Sequence, residues 1–233
     1  MRIKGALFDF SGTLFRVEST AAWLRAVLRE AGLPHPVAEF ERLAEGLERV
    51  GALPGGARPG LVPERLAALW AQRDRSAAQH RAAFTGLSRE IPLPDPLLHD
   101  ALYDRHMRPE AWCPYADAAE VLTGLRDRGV RVAVVSNIGW DPRPVFRAHG
   151  LDPYVDAYTL SYEHEIQKPD PRLFARACEA LGVDPAHALM VGDDRHADAG
   201  AAELGCTVHF VDHLPVDQRP DGLLPVLGLV DRG

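Results

Sequence analysis

Residues 3–9 read Ile-Lys-Gly-Ala-Leu-Phe-Asp, a short apolar run that ends on an acid. The same texture returns at 130–136 (Val-Arg-Val-Ala-Val-Val-Ser), 187–193 (His-Ala-Leu-Met-Val-Gly-Asp) and 206–211 (Cys-Thr-Val-His-Phe-Val). Near-continuous Val/Leu/Ile runs of this length are the mark of strands buried on both faces, where neither side chain set can be polar. Helices with readable ends lie between them. Residues 117–128 start at Asp117, turn Val121, Leu122 and Leu125 inward and stop at Gly129. Residues 170–181 have Asp170 as N-cap, Pro171 at the first helical position and Gly182 past the end. Leu173, Phe174, Ala177 and Leu181 form that helix's apolar stripe. Strands alternating with helices from 116 onward predict an α/β fold on a doubly wound, mostly parallel sheet.

Residues 16–108 break the alternation, since no strand-like run interrupts them. Helices are expected over 20–31, 37–50, 63–84 and 97–107, separated by Pro/Gly clusters such as Leu53-Pro-Gly-Gly and Ile91-Pro-Leu-Pro-Asp-Pro. The expected organisation is an α/β core built from 1–15 and 109–233 that carries an inserted all-helical cap, 16–108. Its hinges fall near 15–18 and 108–115.

Composition narrows the field. At 233 residues, 46% hydrophobic and 25% charged, the chain suits an ordinary globular protein with a substantial core. A formal charge of −7 argues against a nucleic-acid surface, which needs a basic patch. Cys113, Cys178 and Cys206 are widely spaced and odd in number, giving neither a zinc pattern nor a disulfide framework, as suits a reducing cytoplasm. The apolar stretch before Asp9 is too short for a signal peptide, and no run approaches a membrane span. The expectation is a cytoplasmic monomer or homodimer without nucleic-acid or membrane partners. Of 26 basic residues only Lys4 and Lys168 are lysine. Where arginine is the default cation, a lysine calls for a local reason, because an ammonium is a compact point charge and a guanidinium a wide fork.

In an open α/β sheet, ligands bind at the carboxyl ends of the strands. Four such places carry polar residues: Asp9, Ser136 with Asn137, the loop holding Lys168, and Asp193-Asp194 with Asp198. One carboxylate at a strand end reads as readily as an N-cap. Several together would raise one another's pKa unless a cation sat among them, and hard oxygen donors that leave room for water and phosphate suit Mg²⁺.

These residues also form a pattern. Asp9-Phe-Ser-Gly-Thr-Leu resembles the first motif of the haloacid dehalogenase superfamily, usually Asp-x-Asp-Gly-Thr. Val134-Val-Ser-Asn resembles the second, Lys168-Pro-Asp-Pro-x-x-Phe the third and Met190-Val-Gly-Asp-Asp-x-x-x-Asp the fourth, all in order. The helical insertion stands where subclass I members carry a cap. The resemblance implies that Asp9 attacks phosphorus to form an aspartyl-phosphate, splitting one hard displacement into two. It implies Mg²⁺ held by Asp9, the backbone carbonyl of Ser11 and Asp193, with Asp194 and Asp198 as further candidates. Gly12, Thr13, Ser136, Asn137 and the amide of Gly139 would hold a small phosphorylated substrate, and Lys168 would set its charge against Asp9 and the phosphate.

One position departs from the pattern: Ser11 replaces the second acid of the first motif. In the superfamily's phosphatases that acid protonates the leaving alcohol and then deprotonates the attacking water, help worth roughly 10²–10⁴ in rate. Four readings compete. A dehalogenase-like hydrolase needs no such acid, but the superfamily's dehalogenases work without metal and do not keep the acidic pair of the fourth motif. A phosphonatase lacks the acid too, but uses a cap lysine, and 16–108 contains none. A phosphohydrolase would act on good leaving groups or borrow an acid, with His196 and His164 as candidates. A non-enzymatic descendant would bind phosphate or a partner. Mg²⁺-dependent hydrolysis of a small phosphorylated metabolite is the preferred reading. Projection of 63–84 as one helix places Leu66, Trp70, Arg73, Ala77, His80 and Phe84 within about 40° of one line. Arg73 and His80 would then look down on the substrate, unless Arg73 reaches for the rim and His80 is a satisfied core histidine.

Overall fold

The computed structural model describes residues 2–33 and 37–232; Met1, Gly233 and residues 34–36 of the expected core and cap lie outside the described residues. In chain order the elements are β1 Gly5–Phe8, β2 Phe15–Val17, α1 Thr20–Glu30, α2 Val37–Arg49, α3 Glu64–Ala71, α4 Ala77–Ser88 and α5 Leu98–His106. They continue with β3 Trp112–Pro114, α6 Ala118–Asp127, β4 Arg131–Ser136, α7 Arg143–Ala148, β5 Ala157–Leu160 and α8 Ser161–His164. The last are α9 Pro171–Leu181, β6 Ala188–Gly192, β7 Thr207–Phe210 and α10 Pro225–Asp231.

Five strands form one parallel sheet in the order β5-β4-β1-β6-β7, so the chain winds outward in both directions from β1. The four apolar runs are β1, β4, β6 and β7, and β1, β4 and β6 are the three central strands; all of β1 and β6 is buried. Phe8 is in register with Val134 on one side and Val191 on the other. Asp9, Ser136 and Asp193 therefore leave the sheet within a residue or two of one level, and that register is what brings them together.

Several expectations are corrected. The edge strand β5 is absent from the sequence reading, because Ala-Tyr-Thr-Leu is too short and too polar to match the buried-strand texture. The two expected hinge stretches pair with each other: β2 and β3 form an antiparallel ribbon, with Phe15 opposite Pro114 and Val17 opposite Trp112. Helix α6 does start at Asp117 as read, and the Asp117 carboxylate accepts from the amides of Leu223 and Leu224 at 2.5 and 3.2 Å, fastening α10 to the core. Asp170 and Gly182 do end α9 as read, the aspartate accepting from the Arg172 amide and the glycine taking φ 61°.

The largest correction lies in the insertion. The expected helix 63–84 is two helices, α3 and α4, broken by a 3-10 turn at Arg73–Arg75. Ser76 adopts extended backbone and its hydroxyl accepts from the Gln79 amide, starting α4 afresh. No glycine or proline marks the break, so apolar periodicity runs straight through it. The turn leaves Asp74 buried, 3% exposed.

Candidate active site

The first-motif loop is built by β1 and its aftermath. Gly12 takes φ 84°, and a side chain there would run into Asp193 and His213. Arg219, from the C-terminal segment, is buried and clamps the loop from below. It donates to the carbonyl oxygens of Gly12 (2.7 Å) and Thr13 and lies 3.2 Å from the centre of the Tyr115 ring. An arginine bound to carbonyls after the last strand carries no sequence motif, and nothing in the sequence singles it out.

Lys168 is the hub. It is 4% exposed, and its Nζ donates to Asp9 Oδ1 at 2.8 Å and to Asp198 Oδ1 at 2.6 Å. Asn137 sets this geometry: its Oδ1 accepts from the Lys168 amide at 2.7 Å and its Nδ2 donates to the Lys168 carbonyl at 3.0 Å. Both functional atoms of the Asn137 side-chain amide are thus spent on the lysine loop, so that side chain positions Lys168, while the residue also lines the cavity. Ser136, beside it, is buried and lines the cavity.

Asp9, Asp193 and Asp198 bring one carboxylate oxygen each to within 4.8 Å of one another. Asp198 is held by Lys168 and by the Asp194 amide (3.0 Å), and the chain turns tightly there because Gly200 backs onto the Pro169 carbonyl. Thr13 donates to Asp193 Oδ1 at 3.1 Å. Arg16 donates to Nε2 of His213, which leaves Nδ1 to donate to Asp193 Oδ2 at 2.5 Å. His213 lies past the last strand, where the sequence offers no motif to mark it.

Three carboxylates share one ammonium. Burial pushes Asp9 up to about 8 against the pull of Lys168, with Asp198 and Asp193 adding to the rise. Burial raises Asp198 as well, although Lys168 opposes it. Asp193 is held below its ordinary value: burial works against this, but His213, Lys168 and Thr13 together prevail. Lys168 is raised, because Asp198 and Asp9 outweigh its burial. The cluster is rich in hard oxygen donors and short of positive charge, which fits a divalent cation such as Mg²⁺. Asp194 stands outside it. Its carboxylate accepts from the amides of His196 and Ala197 at 2.9 and 3.1 Å and pairs with Arg58 at 2.7 Å, as a turn cap tied to the cap segment.

Above the cluster lies a cavity of about 190 Å³. Core residues Asp9, Ser136, Lys168 and Asp193 line it below; the 53–59 loop and Trp70, Arg73, Asp74, His80 and Phe84 line it above. Ser11 lines it too, but its hydroxyl is 2.6 Å from where a side chain on Gly55 would begin, so the 53–59 loop lies directly against it. Arg73 and His80 do reach the cavity, from the 3-10 turn and from α4 and not from one helical stripe. Arg73 stacks on the Trp70 ring at 4.1 Å, and His80 is 3% exposed with Nδ1 bonded to the Tyr103 hydroxyl at 2.7 Å. His196 and His164 do not line the cavity, and His196 is exposed.

The comparisons agree with this architecture. The family model described as haloacid dehalogenase-like hydrolase matches residues 3–205, and the chain belongs to that family of hydrolases. It is 30% identical over 225 residues to a phosphoserine phosphatase of Thermus thermophilus, covering 90% of this chain and 89% of that one. It is 28% identical over 217 residues to (S)-2-haloacid dehalogenase 4A of Burkholderia cepacia, covering 87% and 80%. The structure of L-2-haloacid dehalogenase from Xanthobacter autotrophicus superposes with a TM-score of 0.63 at 23% identity, covering 96% of this chain and 83% of that chain. Both phosphatases and dehalogenases thus stand among its relatives.

Proposed function

We propose that this hydrolase cleaves the phosphate ester of a small metabolite in a Mg²⁺-dependent reaction, with Asp9 as nucleophile. The observation that carries the reading is the convergence of Asp9, Asp193 and Asp198 around Lys168. A site that displaces halide from carbon needs one carboxylate nucleophile and no cation trap; two further acids beside it would only oppose its charge. Held by Asp9, Asp193 and Asp198, the cation would neutralise the repulsion between phosphate and carboxylate.

The chain's own residues do the rest. Lys168 orients Asp9 through its 2.8 Å hydrogen bond, opposes the rise that burial gives that carboxyl and meets phosphate charge as it enters. Ser136, which lines the cavity, offers a hydroxyl to the phosphate oxygens, whereas the Gly12 amide is spent on the Phe15 carbonyl at 2.7 Å. Arg58 and Arg73 supply positive charge at the roof, which the cap segment builds over the cavity. The volume, about 190 Å³, suits a substrate of metabolite size.

Ser11 and the dehalogenase relative support a second reading, a 2-haloacid dehalogenase-like hydrolase, and a non-enzymatic phosphate- or partner-binding homologue is the third. One experiment separates the three. Phosphate release from a panel of phosphorylated metabolites and an aryl phosphate is expected with Mg²⁺ and is expected to vanish with EDTA. Halide release from a 2-haloacid in EDTA would establish the second reading instead, and no turnover of either kind the third.

A further inference from the structure

Position 11 cannot supply the proton that an alkoxide leaving group needs, and the 53–59 loop lies directly against its hydroxyl. The remaining ionisable residues of the cavity can be taken in turn. Asp9, Lys168, Asp193 and Asp198 are bound into the acidic cluster. His213 is bonded to Asp193, and Asp194 is engaged by two amides and Arg58, which favours its charged form. Arg58 and Arg73 do not release protons near neutrality. His80 and Asp74 remain, both from the cap segment.

The two are linked. The Tyr103 hydroxyl occupies Nδ1 of His80 at 2.7 Å, leaving Nε2 directed at Asp74 Oδ1, 3.8 Å away. Arg73 Nη2 stands 3.4 Å from Asp74 Oδ2. His80 is thereby a support and Asp74 the group presented to the cavity. The backbone of this turn is pinned to the core and does not hang from the cap alone. Ser161, at the start of α8, donates to the Asp74 carbonyl at 2.6 Å, and its oxygen accepts from the Ile138 amide at 2.9 Å. Gln167, next to Lys168, donates to the Ala71 carbonyl at 2.9 Å. His80 itself lies against Gly139, where any side chain would collide with it. A carboxyl group is therefore fixed in the cavity wall by the same loops that carry Ser136 and Lys168.

We infer that Asp74 is the general acid–base of this enzyme, doing from the cap what the acid missing at position 11 does elsewhere. The inference rests on the phosphohydrolase reading. In the first half-reaction an Asp9 oxygen bonds to phosphorus as the phosphorus–oxygen bond of the ester breaks, and the departing oxygen takes the proton of the Asp74 carboxyl group. The alcohol leaves and Asp74 is left as carboxylate. In the second half-reaction water attacks the aspartyl-phosphate, giving its proton to Asp74, and the bond from phosphorus to Asp9 breaks to release inorganic phosphate. The cycle closes with Asp74 protonated and Asp9 ionised. Burial keeps a proton on Asp74 above the ordinary carboxyl range, against Arg73 and Lys168. The groups facing it are Arg73 on its own turn, His80 of α4, Tyr103 of α5 and Lys168 of the core.

The test is Asp74→Asn, assayed with Mg²⁺ on an alkyl phosphate and on para-nitrophenyl phosphate, whose leaving group departs without a proton. Alkyl phosphate turnover should fall about 10²–10⁴-fold. Nitrophenolate should appear in a burst of one equivalent per enzyme at close to the wild-type rate, followed by slow turnover, because the water-attack step has lost its base. The alkaline fall of kcat/KM on the alkyl ester should disappear in the variant. Equal first-turnover losses on both substrates, or activity within about twofold of wild type on both, would overturn the assignment. If the Asn variant does not fold, Asp74→Ser, which also removes the carboxyl group, takes its place, with the two substrates compared in the same way and the same results overturning the assignment. Absence of Mg²⁺-dependent phosphate release from the wild type would sink the phosphohydrolase reading, and this inference with it.

Discussion

Two buried polar clusters face each other across the cavity, and they solve the problem of burial in opposite ways. In the core, one ammonium, Lys168, stands 2.8 and 2.6 Å from Asp9 and Asp198 and opposes with its charge the rise that burial gives both carboxyls, while Asp193 is held below its ordinary value. In the cap, Asp74, His80, Tyr103 and His106 are driven toward their neutral forms. Burial raises Asp74 and lowers both histidines, His106 to about 3 and His80 well below its ordinary value. The difference is one of partners. A buried ion is tolerated where a counter-charge is in hydrogen-bond contact, and otherwise it takes up or gives up a proton. The first kind of cluster suits a nucleophile and a cation, the second a group that must hold a proton and hand it over.

The contrast can be broken at its centre with Lys168→Arg. A guanidinium is too wide for the space between Asp9 and Asp198, so kcat for phosphate release should fall on the order of 10²–10³-fold despite the kept charge. Activity within a few-fold of wild type would mean that charge alone matters there.

The cap cluster can be sharpened through acid stability. The folded protein holds His106 neutral with a pKa of about 3, whereas the unfolded chain protonates at the ordinary 6.5. This contribution is complete above about pH 6.5 and is lost as the pH falls toward about 3, at about 1.4 kcal/mol per pH unit. His80 acts with the same sign. His106→Phe keeps the ring packing against Trp140, 5.4 Å between centroids, and should flatten the fall of Tm between pH 6.5 and 4. An unchanged slope would show that His106 is not held neutral.

A smaller effect is expected where the two halves meet at the rim. Arg58 pairs with Asp194 at 2.7 Å but is 79% exposed, so its ion pair is screened. Arg58→Ala should leave Tm within about 3 °C of wild type and raise KM about threefold to tenfold at unchanged kcat, as loss of uniform binding does. A fall in kcat instead would give the rim a part in the chemistry.

Legibility follows the same division. The core cluster can be read because each member stands at a fixed step from a buried strand: Asp9 after β1, Ser136 closing β4, Asp193 after β6. Asn137 is legible as a site residue but not in its task, since nothing local shows that its amide is spent on Lys168. A projection that treats two helices as one still brings Arg73 and His80 to the cavity. Asp74, which lies between them, reads as an ordinary polar residue, because its burial depends on a break that Ser76 makes without glycine or proline. His213 and Arg219 come from the segment after the last strand, where no periodicity or spacing constrains a position.

The sequence by itself determined the parallel sheet, the order of its motifs and the identity of the charged core, because hydrophobic period and strand-end position are local properties. It also determined that position 11 has no acid. Only the tertiary structure decided what stands over that position, because burial and partner distance depend on segments more than sixty residues apart. Asp74 and Lys168 become neighbours in charge only when the cap turn is pinned by Ser161 and Gln167.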